Sequence, residues 1–452
     1  MKKVNMLEGN IFRSILIYTI PLVIGNFFQL LYATFDMAIV GNSSGSIGVD
    51  SVGAATPIIN VVSFLIIGLS NGASILMSEL YGKKDYEGLK KEIGLCITAI
   101  SIVGIILSFG VIASSDLLLD LTNVKDEIYE GTKTYLITCM IGIIFLSIYN
   151  IYLAALRSIG DSFRPLIFLI ISCILNISFD FLFTLAFNLG VFGVALSTII
   201  SQAITMLICI VYATKISQLF RFRLNDFKIN VPMLVQTSKY AVASALQQVV
   251  LHVGKSLVQS KINTLSIEEQ AGFNIGTKID DYAMTPAQCI GNAVAVFLAQ
   301  NRGAKQRSRV KKGFLIGMLL ELSFGLFVSI LIFIIKRPFA SLFTNDKLAI
   351  TYTVKYISIM VFLYLLPSTT NGLQSYFRGL GNLMIVFLST LVQIIFRVTS
   401  AYIIIPKVGV EGGAYATLIG WIAMISFELP ILIYFWKKNI KLEEKDEEII
   451  TI

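Results

Sequence analysis

Residues 97–114 read ITAISIVGIILSFGVIAS, a run without a single charged side chain. A run of about 20 apolar residues is long enough to cross the hydrocarbon core of a bilayer as one helix. A membrane-spanning β-strand would instead show segments of about 10 residues in which apolar and polar side chains alternate, and this run does not alternate. Residues 23–40 form a similar run, interrupted mainly by Asp36. The pattern predicts an all-α integral membrane protein.

The composition of the whole chain agrees with this interpretation. The 452 residues are 56% hydrophobic and only 14% charged, whereas a soluble domain carries about 25% charged residues. We expect about 12 transmembrane helices, at residues 13–40, 54–80, 93–115, 132–156, 163–187, 190–214, 233–260, 271–299, 313–336, 350–376, 382–405 and 412–436. The first run is too long for a signal peptide and lacks a small-residue cleavage site.

The net charge of +8 is concentrated at the termini and in the loops that follow even-numbered spans. By the positive-inside rule, this asymmetry predicts a multi-pass protein of the cell membrane with both termini in the cytoplasm. We therefore expect the excess positive charge to interact with anionic membrane lipid. We expect no binding of nucleic acid. The basic residues include Lys83, Lys84, Lys90, Lys91, Arg302, Lys305, Lys311, Lys312, Lys437 and Lys438.

The two halves of the sequence resemble each other. A shift of 221 residues takes Gly82 to Gly303, Lys90 to Lys311, Arg157 to Arg378 and Gly160 to Gly381. The repeat predicts two pseudo-symmetric six-helix lobes, residues 1–219 and 233–452, joined by a cytoplasmic linker at 220–232. Such duplication is typical of secondary transporters, in which two lobes move around a site at their interface. The alternatives are a duplicated scaffold without transport, or a receptor or channel.

Polar side chains inside the predicted spans are functional candidates, because ionisable groups are costly at bilayer depth. Helical spacing places them on shared faces, as Asn176 and Asp180 are separated by four residues. Two carboxylates close together in a low dielectric would hold a proton or share a sodium ion. The alternative is that these groups only hydrogen-bond helices together. In the first half the candidates are Gln29, Tyr32, Asp36, Asn150, Asn176, Asp180 and Thr198.

The second half has a different set of polar residues. Gln248, His252 and Lys255 share one face of span 7, and Asp280 and Asp281 begin span 8. We expect Lys255 to pair with one of these aspartates. A metal site is not expected, because His252 is the only histidine and the five cysteines lie in apolar runs without a CxxC pair. Arg397 and Glu428 are interpreted as helix-end or interhelical pairs.

Motifs for chemistry or ATP use are absent from the sequence. There is no GxxxxGK[ST] segment and no serine, cysteine or metal constellation for catalysis. We expect no enzyme activity, no cofactor and a monomeric chain.

An ordered series of motifs resembles the multidrug and toxic compound extrusion (MATE) transporters, in particular their bacterial DinF-like branch. The resemblance covers nearly the whole chain. It is carried by residues 32–41 (YATFDMAIVG), 53–57 (GAATP), 68–73 (GLSNGA), 81–85 (YGKKD), 155–161 (ALRSIGD), 278–280 (KID), 286–287 (PA) and 300–304 (QNRGA).

The resemblance implies export of cationic and amphipathic drugs in exchange for protons or sodium ions. It also implies that the coupling cluster of DinF-like members falls on Gln29, Tyr32, Asp36, Asn150, Asn176, Asp180 and Thr198. Other branches use acids in spans 7 and 10, where this chain has Gln248 and Lys255 and no span-10 acid. The alternative within the same superfold is a flippase for a lipid-linked precursor, which would need a cationic cavity.

Overall fold

The structure is a computed structural model that describes the backbone of residues 3–450. Side chains are described for all of these residues except 30–38, 42–44, 185 and 438–450. Within this part of the chain the regular structure is helical. Eleven of its helices are long and apolar enough to cross a membrane, and a bent pair of shorter helices makes a twelfth candidate span. The predicted fold class is therefore confirmed.

Six α-helices make up the first half, and four of them carry one predicted span each. They are α1 (Ile11–Gly82), α2 (Tyr86–Ala113), α3 (Ser115–Leu121), α4 (Asp126–Ser158), α5 (Phe163–Asp180) and α6 (Gly190–Ile216). We expected a loop between spans 1 and 2, but α1 carries both. The two spans meet at Gly45, with φ 63° and ψ −159°. A residue with a side chain rarely adopts this backbone conformation, whereas glycine does. Gly45 therefore allows the helix to break without a loop.

Span 5 ends in an irregular turn. Helix α5 stops at Asp180 and continues as one turn of π-helix, Phe181–Ala186. The hydroxyl of Thr184 donates to the carbonyl of Asp180 at 2.5 Å. Such π turns are rare and occur frequently at functional sites, and this one directly follows a candidate site residue.

The predicted linker is anchored to the first half. Two short 3₁₀ segments, Gln218–Phe220 and Leu224–Phe227, follow α6. Asp226 is buried, accepts from the backbone N–H of Arg223 at 2.6 Å and pairs with Lys90 at 3.1 Å. The backbone N–H of Arg223 and the ammonium of Lys90 hold the pKa of Asp226 below its usual value.

Seven α-helices make up the second half: α7 (Val231–Ile262), α8 (Ile267–Gly303), α9 (Arg307–Ser341), α10 (Lys347–Leu363), α11 (Leu365–Gly379), α12 (Leu383–Val408) and α13 (Glu411–Ile450). Span 10, predicted over 350–376 with Pro367 inside it, is divided into α10 and α11, which are bent by 48°. The cause is Pro367, whose ring would clash with the carbonyl of Leu363, four residues earlier, in a continuous helix.

Contacts divide the chain into two compact units. Unit 1 comprises Met1–Val249 and Val296–Val310, and unit 2 comprises Val250–Ala295 and Lys311–Ile452. The core of unit 1 includes the buried side chains of Ile66, Met77, Met140, Tyr152 and Phe220. That of unit 2 includes Val258, Phe273, Tyr356, Met360 and Ile405. The lobe boundary at 220–232 remains a prediction.

Candidate functional site

The polar residues of spans 5 and 6 meet in unit 1. Asp180 is fully buried at the end of α5, and the hydroxyl of Ser197 on α6 donates to its Oδ1. One turn earlier on α5, the buried Asn176 donates from Nδ2 to Oγ1 of Thr198 at 3.3 Å. Two consecutive residues of α6 therefore engage the two candidate residues that are four apart on α5.

Hydroxyl groups on α6 are also bonded to their own helix. The Ser197 and Thr198 hydroxyls lie 2.7 Å and 3.1 Å from the carbonyl oxygen of Val194. A hydroxyl has one hydrogen to donate. Ser197 can thus donate either to Asp180 or to Val194, and it can accept from a protonated Asp180 while donating to Val194. The site accommodates both protonation states of the carboxyl group without a change of partner.

The remaining candidates of the first half are placed differently. Asn150 is half-buried and donates to the carbonyl of Leu146 in its own helix at 2.9 Å. Gln29 is exposed on α1. The side chains of Tyr32 and Asp36 lie outside the described residues. The structure therefore brings Asn176, Asp180 and Thr198 together and adds Ser197, which sequence reasoning missed.

Unit 2 contains a second polar cluster. The side chains of Tyr356 and Tyr364 are buried and donate to Asp280 at 2.8 Å and 2.6 Å. Lys255 pairs with Asp281 at 3.1 Å, and both side chains are exposed. Lys255 thus pairs with an aspartate, as expected. Gln248 is half-buried and belongs to unit 1.

Sequence reasoning also missed polar groups in unit 2 and in α2. The tyrosines that bind Asp280 are eight residues apart in span 10, a spacing that places them on one helix face. Three acids with 0% of their surface exposed were not treated as site candidates: Glu92, Glu321 and Glu428. Glu321 is the only acid in residues 313–336, so the rule that selected Asp36 would have selected it too.

One end of unit 1 is closed by charged side chains. Arg302, near the end of α8, donates to the carboxylate of Glu79 on α1 and lies 3.3 Å from the hydroxyl of Tyr240. Lys83 pairs with the other oxygen of Glu79 at 2.7 Å. We call Glu79, Lys83, Tyr240 and Arg302 the latch. By the charge asymmetry of the sequence, this end is the one predicted to face the cytoplasm.

The backbones of α1 and α8 touch beside the latch. A Cβ atom on Gly82 would lie 1.9 Å from the carbonyl oxygen of Gln300, and one on Gly303 would lie 2.1 Å from that of Glu79. Contacts this short are impossible for any side chain. Gly82 and Gly303 are equivalent in the 221-residue repeat, and so are Glu79 and Gln300. The contact is therefore reciprocal.

The N-terminal segment is fixed at the same end. The backbone N–H of Val4 donates to Gly160 at 3.0 Å, and Met6 is buried. The carbonyl of Met6 accepts from Asn301 at 3.0 Å and from Arg309 at 3.2 Å. Residues before α1 therefore hold the ends of α4, α8 and α9 together in unit 1.

These features define a duplicated helical membrane protein with polar clusters buried inside its spans, the architecture of a transport protein. The MatE family model matches the chain twice, at residues 21–182 and 243–403, once in each half. The chain belongs to the MATE family of membrane transporters. It is a transport protein and not an enzyme.

Similar proteins support the same family, and a solved structure supports the same fold. The probable multidrug resistance protein YpnP of Bacillus subtilis is 27% identical over 399 residues, 87% of this chain and 88% of the relative. The probable multidrug resistance protein NorM of Thermotoga maritima is 25% identical over 434 residues, 93% and 92% of the two chains. An outward-facing multidrug resistance MATE family transporter superposes with TM-score 0.89 at 22% identity, covering 98% and 99%. At this identity the structural match shows the fold alone.

Proposed function

We propose that the protein is a secondary active efflux transporter that exports cationic or amphipathic organic compounds in exchange for a cation by alternating access. The names of the relatives support the cargo class. The observation that carries the proposal is the fully buried carboxyl group of Asp180 within an apolar span, beside Ser197. An ionisable group at such a depth is a functional candidate by default, since burying it is costly.

We propose a proton as the coupling ion, with sodium as the alternative. Ser197 satisfies the carboxyl group in either protonation state, as described above, so Asp180 can gain and lose a proton without leaving a buried polar group unpaired. Asp36, Asn150, Asn176 and Thr198 complete the proposed cation-coupling set. A sodium ion would use the same carboxylate oxygens and the hydroxyls of α6.

The cargo site is proposed at the Asp280 cluster of unit 2. Asp280 with the rings of Tyr356 and Tyr364 supplies a carboxylate and aromatic faces, which together suit an organic cation. Gln29, Tyr32, Gln248, Lys255 and Asp281 are the further cavity residues of this proposal. The flippase alternative needs unmatched positive charge, and the pairing of Lys255 with Asp281 does not favour it.

The latch supports alternating access. Its contacts are polar and partly exposed, so they can exchange with water when that end of the molecule opens. Opening would also separate the glycine backbones of α1 and α8. We propose that the transporter acts as a monomer in the lipid of the cell membrane, with cytoplasmic termini and no cofactor.

Dye efflux from proteoliposomes tests the function. Purified protein should drive efflux of a cationic dye under an imposed proton gradient, and not under a sodium gradient of equal size. Efflux driven only by sodium would name the other ion and retain the antiporter. No efflux under either gradient, with protein that remains folded, would contradict the proposed function.

Removing the latch arginine should open that end of unit 1. In Arg302→Gln, Glu79 loses its guanidinium partner, a loss of about 1–2 kcal/mol, or roughly 5- to 30-fold in the opening equilibrium. The readout is thiol labelling of Ser158→Cys by a membrane-impermeant reagent, in a background with the native cysteines replaced by alanine. Ser158 is fully buried at this end.

Arg13→Gln is the matched control, because Arg13 is exposed on α1 of the same unit. It should leave the labelling rate of Ser158→Cys unchanged. Equal labelling in the Arg302→Gln and Arg13→Gln variants would show that the latch does not hold this end closed.

A further inference from the structure

Unit 2 buries two acids apart from the Asp280 cluster. Glu321 on α9 and Glu428 on α13 both have 0% of their surface exposed. Within the described part of the chain, none of their four carboxylate oxygens accepts a hydrogen bond of good geometry. Native proteins rarely leave buried polar groups unsatisfied, so each such group requires an explanation.

The surroundings of the two carboxylates are polar but neutral, with one exception. Glu321 faces α8 at Gly291, where a Cβ atom would lie 3.2 Å from its Oε1. Glu428 lies beside Gln374 of α11 and Ser389 of α12. The hydroxyl of Ser389 also lies 3.0 Å from the carbonyl oxygen of Val386, and the Gln374 amide lies 3.5 Å and 3.4 Å from the hydroxyls of Ser389 and Thr390. Both acids interact electrostatically with the guanidinium of Arg378.

Arg378 is held between helices. Its Nη1 lies 3.3 Å from Oδ1 of Asn292 on α8, and its Nη2 lies 3.1 Å from Oε1 of Gln374. Its guanidinium is the charged group that interacts with both Glu321 and Glu428. Two buried carboxylates thus share one half-buried guanidinium.

The side chains of Glu321, Glu428 and Arg378 do not balance each other's charge, because two carboxylates face one guanidinium. A buried ion pair is tolerated, but a further unmatched carboxylate in a low dielectric binds a proton to become neutral. No group of three His, Cys, Asp or Glu side chains that could hold a metal ion is found in the described residues. A proton on one of the two carboxyl groups supplies the missing positive charge.

We infer that Glu321 and Glu428 together bind one proton at neutral pH, with Arg378 compensating whichever carboxylate is ionised. This defines a proton-binding site in unit 2, formed by residues of α9, α11 and α13 and separate from Asp180. The inference rests on burial and charge balance and does not depend on the proposed coupling role of Asp180.

Infrared spectroscopy of the purified protein measures how many of the two carboxyl groups are protonated. A protonated buried carboxyl group has a carbonyl stretch that a difference spectrum, wild type minus variant, isolates. We expect Glu321→Gln and Glu428→Gln each to lose the whole band, because the remaining acid is then matched by Arg378. Arg378→Gln should double the band, because both acids then need protons. The exposed Glu8→Gln variant is the control and should leave the band unchanged.

The intensities distinguish the shared proton from simpler arrangements. Loss of half of the band in each single variant would mean that both acids are protonated independently and would overturn the inference. An unchanged band in both would mean that both are ionised and would also overturn it. If a single variant does not fold, the double variant Arg378→Gln with Glu428→Gln keeps the charge balance. It should fold and retain a band of wild-type intensity, and absence of the band would contradict the inference.

Discussion

Replacing Asp180 by asparagine is expected to reduce proton-driven efflux to the rate measured without a gradient. Asparagine keeps the size of the side chain but cannot gain or lose a proton. Proton binding at this position can then no longer favour one state of the transporter over the other. Coupling free energies between two sites are typically about 1–3 kcal/mol, or about 5- to 150-fold. We expect a loss of driven efflux in that range, measured by dye efflux from proteoliposomes.

Dye binding should survive in the same variant, because the proposed cargo site lies elsewhere. The control is Ser178→Ala, two residues earlier on α5, where the exposed serine donates to the carbonyl of Ile174 in its own helix. It should transport like wild type. Wild-type driven efflux by Asp180→Asn would remove Asp180 from the coupling mechanism and leave Asp36 as the acid to test.

A valine at position 303 is expected to prevent the close contact of α1 and α8. Its side chain would overlap the carbonyl of Glu79, and neither backbone can yield without separating the helices. Overpacking of this kind costs about 1–3 kcal/mol. If the contact forms and breaks during transport, the cost falls on the closed state only. Gly303→Val should then fold normally and lose about 5- to 150-fold in driven efflux.

The reciprocal geometry gives this prediction an internal check. Gly82→Val should behave like Gly303→Val, because it overlaps Gln300 in the same way. Gly110→Val is the matched control, since a Cβ atom at Gly110 on α2 meets nothing within 4 Å. Wild-type efflux from both Gly82→Val and Gly303→Val would show that the close contact is not required at any stage.

Much of the fold was predictable from the sequence, because membrane spans are read from hydrophobic length alone. The bend between α10 and α11 agrees with the position of Pro367 in the sequence. A proline bends or ends a helix about one turn before itself, but its effect inside a membrane span depends on neighbouring helices. The loop expected between spans 1 and 2 was wrong, because the single residue Gly45 makes the break between them.

The candidate site was predictable only within single helices. The spacing of Asn176 and Asp180 placed both on one face of α5, and the structure confirms that they meet α6 together. The pairing of Asp180 with Ser197 depends on how α5 and α6 pack, which the sequence of either helix does not specify. Glu321 and Glu428 are 107 positions apart in the sequence, and their shared partner Arg378 lies on a third helix.

The contact of Gly82 with Gln300 and of Gly303 with Glu79 has a consequence for the origin of the chain. Equivalent residues of two copies can exchange contacts in this way only where the copies meet across a two-fold axis. In a symmetric dimer this is the pattern of a self-complementary interface, in which residue i meets j and j meets i. The glycine contact is thus what a homodimer of a six-span ancestor would have had at its centre. Duplication and fusion would then have turned an intermolecular contact into an intramolecular one, after which each copy was free to acquire its own polar residues.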